Sequence, residues 1–206
     1  MSLCRYLLLA LLLLTLTACA VREQRPEGAW LADRQALFAE HPVWSVSGRL
    51  ALSDGQRGGQ LAFDWRADGD RHDIRLRTVM GGSQWRLEFE PGWASLSGTD
   101  IEGHWISSEP DGLVLDAIGW PVPVADLAWW VRGLPPPGTA VDAIRYTADG
   151  SIGQVTRPPW HLDFQRFLPE GEILLPARLQ ADSGFYRVRI VLRNWDLGSH
   201  SAPKSL

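Results

Sequence analysis

The sequence predicts a mainly β fold: one long antiparallel sheet, interrupted once by helices and curled round its apolar face. Three observations predict it. Apolar and polar residues alternate with period two over most of the chain from Trp44 onward, turn dipeptides separate the alternating runs, and the alternation breaks once, between about Asp111 and Leu134. A sheet with one wet face must bury the other. Curling round that face, with the helices over the opening, leaves a hydrophobic interior. Periodicity leaves open whether side chains fill that interior or a cavity remains.

The chain opens with one basic residue, Arg5, and an unbroken apolar run from Tyr6 to Leu14. Such a run is too short for a spanning helix and reads as a secretory signal. Leu16-Thr17-Ala18-Cys19 follows where cleavage is expected, and it resembles the bacterial lipobox, in which the cysteine is lipidated and the signal removed. Cys4 leaves with the signal, so no thiol remains for a disulfide or a cysteine metal site. The expected organisation is a signal peptide over 1–18, a lipidated N-terminus and polar tether over 19–28, one domain over 29–197 and a disordered tail over 198–206. A chain of this length supports one substantial core, held by burial alone.

Trp30, Arg34, Leu37 and Phe38 fall at helical spacing, with Pro42 closing the segment, which predicts a short N-terminal amphipathic helix. Trp44, Val46, Gly48, Leu50 and Leu52 then share a strand face opposite Ser45, Ser47 and Arg49. The chain turns around Ser53 to Gly59, where Asp54-Gly55 and Gly58-Gly59 are turn dipeptides. Leu61, Phe63 and Trp65 form the next apolar face, and Asp68-Gly69-Asp70 turns again. Ile74 and Leu76 lead to Val79-Met80-Gly81-Gly82, and Trp85, Leu87 and Phe89 lead to Pro91-Gly92. Two weaker strands are expected near Ala94–Ser97 and His104–Ser107.

In the break, Leu113, Leu115 and Ile118 predict a short helix stopped by Gly119. Pro123 can begin a second, with Asp126 near its positive end and Val124, Leu127, Val131 and Leu134 as its apolar stripe. Gly133 and Pro135-Pro136-Pro137 end it. Strands resume near Ala143–Thr147, Gly153–Thr156, His161–Gln165 and Ala177–Ala181. A final strand is the clearest, with Tyr186, Val188, Ile190 and Leu192 alternating against Arg187, Arg189 and Arg193.

Little in the chain marks chemistry. The net charge is −4, and Lys204 is the single lysine, so no basic excess points to nucleic acid. The five histidines make no metal-ligand pair at helical spacing. Ser83 lacks the second glycine of a nucleophile elbow, no Gly-Lys pair marks a phosphate loop, and Asp68, Asp70 and Asp73 read as a solvated turn. No enzyme and no cofactor is expected. What stands out is Met80, beside Val79 at the tip of a tight turn, because turn tips face solvent. Such a tip suits a lipid surface or a partner's groove.

Here the chain resembles a known family, the outer-membrane lipoprotein receptor LolB. The resemblance rests on the lipobox, on Trp44-Ser45-Val46-Ser47-Gly48-Arg49-Leu50-Ala51 and on Phe63-Asp64-Trp65. It rests further on Gly119-Trp120-Pro121-Val122-Pro123, on Trp129-Trp130-Val131-Arg132-Gly133-Leu134-Pro135, on Leu175-Pro176 and on Asn194-Trp195. It implies an unclosed antiparallel β-barrel, a half-barrel with a helical lid over a hydrophobic cavity. It implies a monomer that accepts lipoproteins from the periplasmic carrier LolA and inserts their acyl chains into the inner leaflet of the outer membrane. The lipid of Cys19 would hold the protein to that membrane, facing the periplasm, and Ala20 stands where an aspartate would resemble an inner-membrane retention signal, which fits an outer-membrane address.

The resemblance also assigns roles. Val79, Met80 and Gly81 match a membrane-insertion loop, with Met80 where relatives usually carry leucine. The apolar faces supply the expected cavity wall: Leu50, Leu61, Phe63, Trp65, Leu76, Trp85, Leu87 and Phe89 from the sheet, with Leu127, Trp130 and Val131 from the lid. Arg49, Arg66 and Arg75 on the polar face are the candidates for docking the carrier. Two other readings keep the fold: a lipoprotein that senses or binds a lipid or peptide, and a scaffold that pairs a partner strand at the open sheet edge.

Overall fold

The computed structural model describes residues 28–80 and 82–198. The signal, Cys19, the tether up to residue 27, Gly81 and the tail beyond residue 198 lie outside the described residues. The chain forms helix α1 (Ala29–Glu40), then strands β1 (Val43–Ser53), β2 (Gly58–Asp68), β3 (Arg71–Thr78), β4 (Gln84–Glu90), β5 (Trp93–Gly98) and β6 (Trp105–Ser107). Helices α2 (Pro110–Ile118) and α3 (Val124–Trp130) follow, then a 3-10 turn (Val141–Ala143). The chain ends on β7 (Ile144–Tyr146), β8 (Ile152–Arg157), β9 (Trp160–Glu170), β10 (Ile173–Asp182) and β11 (Arg187–Asp196). Among the described residues no helix is long and apolar enough to cross a membrane.

All eleven strands join one antiparallel sheet in the order β6-β5-β4-β3-β2-β1-β11-β10-β9-β8-β7. Two meanders, β1–β6 and β7–β11, meet where β1 pairs with β11, with Leu50 opposite Ile190 and Leu52 opposite Val188. The sheet does not close, and its edges β6 and β7 follow each other in the chain. The segment between them, with α2 and α3, therefore crosses the open side.

Strand direction fixes two ends of the sheet. At one end stand the turns 54–57, 79–83 and 183–186, here the upper rim; the lower end carries the turns 69–70, 91–92 and 171–172. The first turn is tighter than the glycine pair predicts. Asp54 accepts the N–H groups of Gln56 and Arg57 at 2.9 and 2.6 Å, so Gly58 and Gly59 pair with Ser53 and Leu52 as strand residues. Helix α2 begins at Pro110, ahead of Leu113, because proline suits the first helical turn. Helix α3 stops at Trp130, and Gly133 at φ 77° lets the Leu134 N–H reach the Trp129 carbonyl.

The alternating apolar residues of β1–β5 and β8–β11 face one side and form the core. Its lower end is packed with rings. Trp44 lies 5.8 Å from Trp65 and 5.7 Å from Trp195, and His72 stacks on Phe89 at 4.6 Å. Helix α1 adds Phe38 beside Trp44 and Trp30 edge-on to Phe167. Arg34 is buried in the same face of α1, over Trp30, with a guanidinium N–H given to the Leu174 carbonyl.

His72 is a polar member of this aromatic floor. Its Nδ1 accepts the Trp65 indole N–H at 3.1 Å, which requires a neutral ring. Burial, and secondarily the Arg132 guanidinium, hold its pKa down to about 4. The unfolded chain binds this proton near pH 6.5 and the folded one only near pH 4. Stability is therefore expected to fall as pH drops through that window, by on the order of 3 kcal/mol. His72→Gln keeps an acceptor for Trp65 and should flatten this part of a thermal-midpoint against pH curve; an unchanged slope would assign the effect elsewhere.

Close approach explains one glycine. A Cβ on Gly48 would lie 2.1 Å from the Val191 carbonyl oxygen and 2.7 Å from the Phe63 ring, whereas one on Gly59 would meet nothing within 4 Å. Gly48→Ala is expected to lower unfolding stability by about 1–3 kcal/mol or more through overpacking at the β1–β11 junction. Gly59→Ala should change it by less than about 1 kcal/mol. Urea denaturation midpoints of the two variants measure the contrast.

Candidate functional site

Above the aromatic floor, the apolar face of the sheet and the two lid helices enclose a pocket of about 80 Å³. From the sheet it is lined by Leu50 and Leu52 of β1, Leu61, Phe63 and Trp65 of β2, Ile74 and Leu76 of β3, Trp85 and Leu87 of β4, Leu96 of β5 and Ile190 of β11. Val114, Ala117 and Ile118 of α2 face it, as do Val122 in the connection, Val124 and Leu127 of α3, and Val131 just beyond. The expected wall contains no residue of this helix, whose apolar positions are taken from the sequence as Leu113, Leu115 and Ile118; the spacing of 114, 117 and 118 on one helical face is the signal that marks it.

Every lining side chain is apolar, and the two indoles turn their N–H groups away. Trp65 gives its N–H to His72, and Trp85 gives its own to the Thr99 carbonyl at 3.0 Å. The wall therefore presents hydrocarbon and ring surface and no hydrogen-bonding group. Of the eleven expected wall residues, the structure brings nine to the pocket: Leu50, Leu61, Phe63, Trp65, Leu76, Trp85, Leu87, Leu127 and Val131. Phe89 and Trp130 are core residues elsewhere. Phe89 has the same strand face as Trp85 and Leu87 but lies lower, against His72. Trp130 is fully buried, and its indole N–H has no acceptor among the described residues.

Among the described residues, few polar side-chain contacts hold the lid. The Asp111 carboxylate of α2 accepts the Ala125 N–H of α3 at 3.0 Å, and Arg157 at the end of β8 gives a 2.8 Å bond to Asp126 of α3. Burial pushes both carboxyls above the usual range, opposed at Asp111 by the Ala125 amide and at Asp126 by Arg157. Just beyond α3, Arg132 bonds the Ala128 carbonyl at 2.8 Å and lies 4.5 Å from the Trp129 ring.

The pocket sits toward the upper rim. Leu52 is two residues from the 54–57 turn, and Leu76 and Trp85 face each other on the hairpin that ends in Met80. Met80 is 91% exposed and Val79 48%. On the outer face, Arg66 and Arg75 flank a groove with Asp64 and Asp73, whereas Arg49 shares one with Arg178 and Arg189 that holds no carboxylate.

The family model and the curated relatives agree on one family. The family model described as outer membrane lipoprotein LolB matches residues 42–195. The outer-membrane lipoprotein LolB of Xanthomonas campestris pv. campestris (strain 8004) is 32% identical over 186 residues, which cover 87% of this chain and 85% of the relative. The Marinobacter nauticus protein of that name is 32% identical over 203 residues, covering 93% and 97%, and that of Alkalilimnicola ehrlichii 31% over 198, covering 94% and 97%. Among solved structures, a LolA superfamily protein from Nitrosomonas europaea shares the fold, with a TM-score of 0.56 at 6% identity over 82% of this chain and 94% of its own.

The two polar ties predict how readily the pocket opens. Each hydrogen bond contributes about 0.5–1.5 kcal/mol to closure. Arg157→Ala and Asp111→Ala are each expected to raise the affinity for an environment-sensitive fatty-acid dye by about two- to tenfold, read by fluorescence titration. Unchanged affinity would show that the apolar contacts alone set the closed state.

Proposed function

The chain belongs to the LolB family of outer-membrane lipoproteins, and we propose that it accepts lipoproteins from the periplasmic carrier LolA and inserts their acyl chains into the inner leaflet of the outer membrane. The observation that carries this reading is a wholly apolar pocket placed toward the rim on which Met80 projects into solvent. Family membership supports the coarser role, in outer-membrane lipoprotein localisation. A lipid on Cys19 would tether the domain to the membrane it serves.

Transfer energetics set what the pocket must do. An acyl chain gains about 0.8 kcal/mol per methylene removed from water, so its passage needs an apolar container throughout. The pocket has only to bind the chains better than the carrier does and less well than the bilayer. No group that holds or releases a nucleotide takes part in that gradient. At about 80 Å³ the pocket is smaller than the roughly 150 Å³ in which an apolar protein cavity holds benzene, so α2 and α3 must shift to admit a chain. A wall without hydrogen-bonding groups lets the chain slide and leave, since nothing in it fixes one register.

Met80 would make first contact with the bilayer, a role in which a flexible apolar side chain replaces the leucine usual in relatives. Met80→Glu puts a carboxylate where lipid should be entered, at a cost of up to about 2.5–3.5 kcal/mol for a charge deep in hydrocarbon. In an assay with cargo-loaded LolA and liposomes, the variant is expected to take up cargo normally and to deliver it at least about tenfold less well. If the native protein removes no cargo from LolA, the receptor reading falls and a lipid-binding sensor becomes the better account.

A further inference from the structure

Three large apolar side chains among the described residues are more than four-fifths exposed: Met80 at 91%, Val141 at 85% and Phe185 at 83%. Their places in the fold coincide. Met80 tips the β3–β4 hairpin and Phe185 tips the β10–β11 hairpin, both on the upper rim. Val141 lies on the 3-10 turn that enters β7 from the same side, since Ile144 is on one cross-strand row with Val155, Leu162, Ala181, Val188 and Leu52.

Phe185 is the least expected of the three. Its hairpin is tight: Asp182 pairs with Arg187, and the Ser183 N–H bonds the Tyr186 carbonyl at 2.9 Å. Gly184, at φ 86°, and Phe185 are the two residues of the tip. Such tips favour Gly followed by a small polar residue, and a phenyl ring standing in water there stabilises nothing within the fold. The β10–β11 hairpin is four inter-strand spacings along the sheet from the β3–β4 hairpin, about 19 Å at the usual strand separation. Between them lies the polar β1–β2 turn, on which Arg57 and Asp54 form an ion pair at 3.2 Å.

We propose that Phe185 is a second lipid-entering tip, which enters the same bilayer surface as Met80 and fixes the tilt of the upper rim against it. This rests on the reading of Met80 as a membrane-contacting tip. A lipid surface fits these observations better than a protein groove. Isolated apolar tips separated by polar turns match a medium that needs no shape complementarity. Two separated contacts resist rocking in the plane that joins them, which one tip cannot do. They would hold the pocket end of the sheet against the leaflet that receives the chains.

The test uses the full-length acylated protein in vesicles of phosphatidylethanolamine and phosphatidylglycerol, with an NBD label on Met80→Cys, Phe185→Cys or, at the lower end, Glu172→Cys. Acylated Cys19 does not compete for the label. Labels at 80 and 185 are expected to shift to the blue and to lose emission when the lipid carries an acyl-chain nitroxide, and the label at 172 to do neither. Quenching at 80 alone overturns the second tip and leaves the role of Met80 standing. Quenching at neither overturns both, and quenching at all three overturns the upper-rim orientation. A response at 185 only on addition of LolA assigns the tip to a protein contact and overturns the proposal. As a functional readout, Phe185→Ser should lower delivery to vesicles severalfold and leave uptake from LolA unchanged; undiminished delivery overturns the inference.

Discussion

The pairing of β1 with β11 is the constraint on which the rest of the molecule depends. It joins the first and last strands of the domain in the middle of the sheet, so the two edges become β6 and β7, which are consecutive in the chain. The chain must then cross the open side of the curl to get from one edge to the other, and α2 and α3 are what it builds on the way. The lid follows from the topology. Gly48 shows how tightly that junction is made, with the Val191 carbonyl and the Phe63 ring occupying the space a side chain would need.

The interior enclosed in this way is divided. Its lower part is solid, filled by Trp44, Trp65, His72, Phe89 and Trp195 with Phe38 of α1 laid against them. Its upper part, lined mostly by aliphatic side chains with Phe63, Trp65 and Trp85 among them, is incompletely filled. The division suits the proposed role as a container for acyl chains. Rings packed against one another resist deformation, so a rigid floor supports the sheet while the few polar ties of the lid leave it the part that can move. The indole N–H of Trp65 links the two regions, because its bond to buried His72 keeps a polar group out of the pocket wall.

Most of the strands were legible because one face of this sheet is buried and the other wet, which writes the backbone period directly into Trp44–Leu52, Leu61–Trp65, Trp85–Phe89 and Tyr186–Leu192. The same signal reports which face a residue takes and is silent on its height along the strand. Phe89 therefore seemed equivalent to Trp85 and Leu87, although it belongs to the floor. Trp130, beside the apolar stripe of α3, was likewise read as wall and is core. Gly58 and Gly59 looked like a turn because the carboxylate of Asp54, which closes the turn earlier, leaves no periodic trace. Nothing in the local pattern marks Phe185, because it abuts Tyr186, an inward residue that continues the alternation of β11. The β1–β11 pairing lies beyond any local pattern, since residues such as Ser47 and Arg193 meet across 146 positions of sequence.

That separation governs how the fold can assemble. Each meander is built of neighbouring hairpins, whose short loops close rapidly and at little entropic cost, whereas the seam between the meanders must gather nearly the whole chain. As the chain is delivered from its N-terminus, β1 emerges first and its second partner last. Through that interval one side of β1 carries unpaired amides and carbonyls beside Leu50 and Leu52, a surface to which another β strand can add. The fold is thus most exposed to aggregation in the interval before its own last strand arrives.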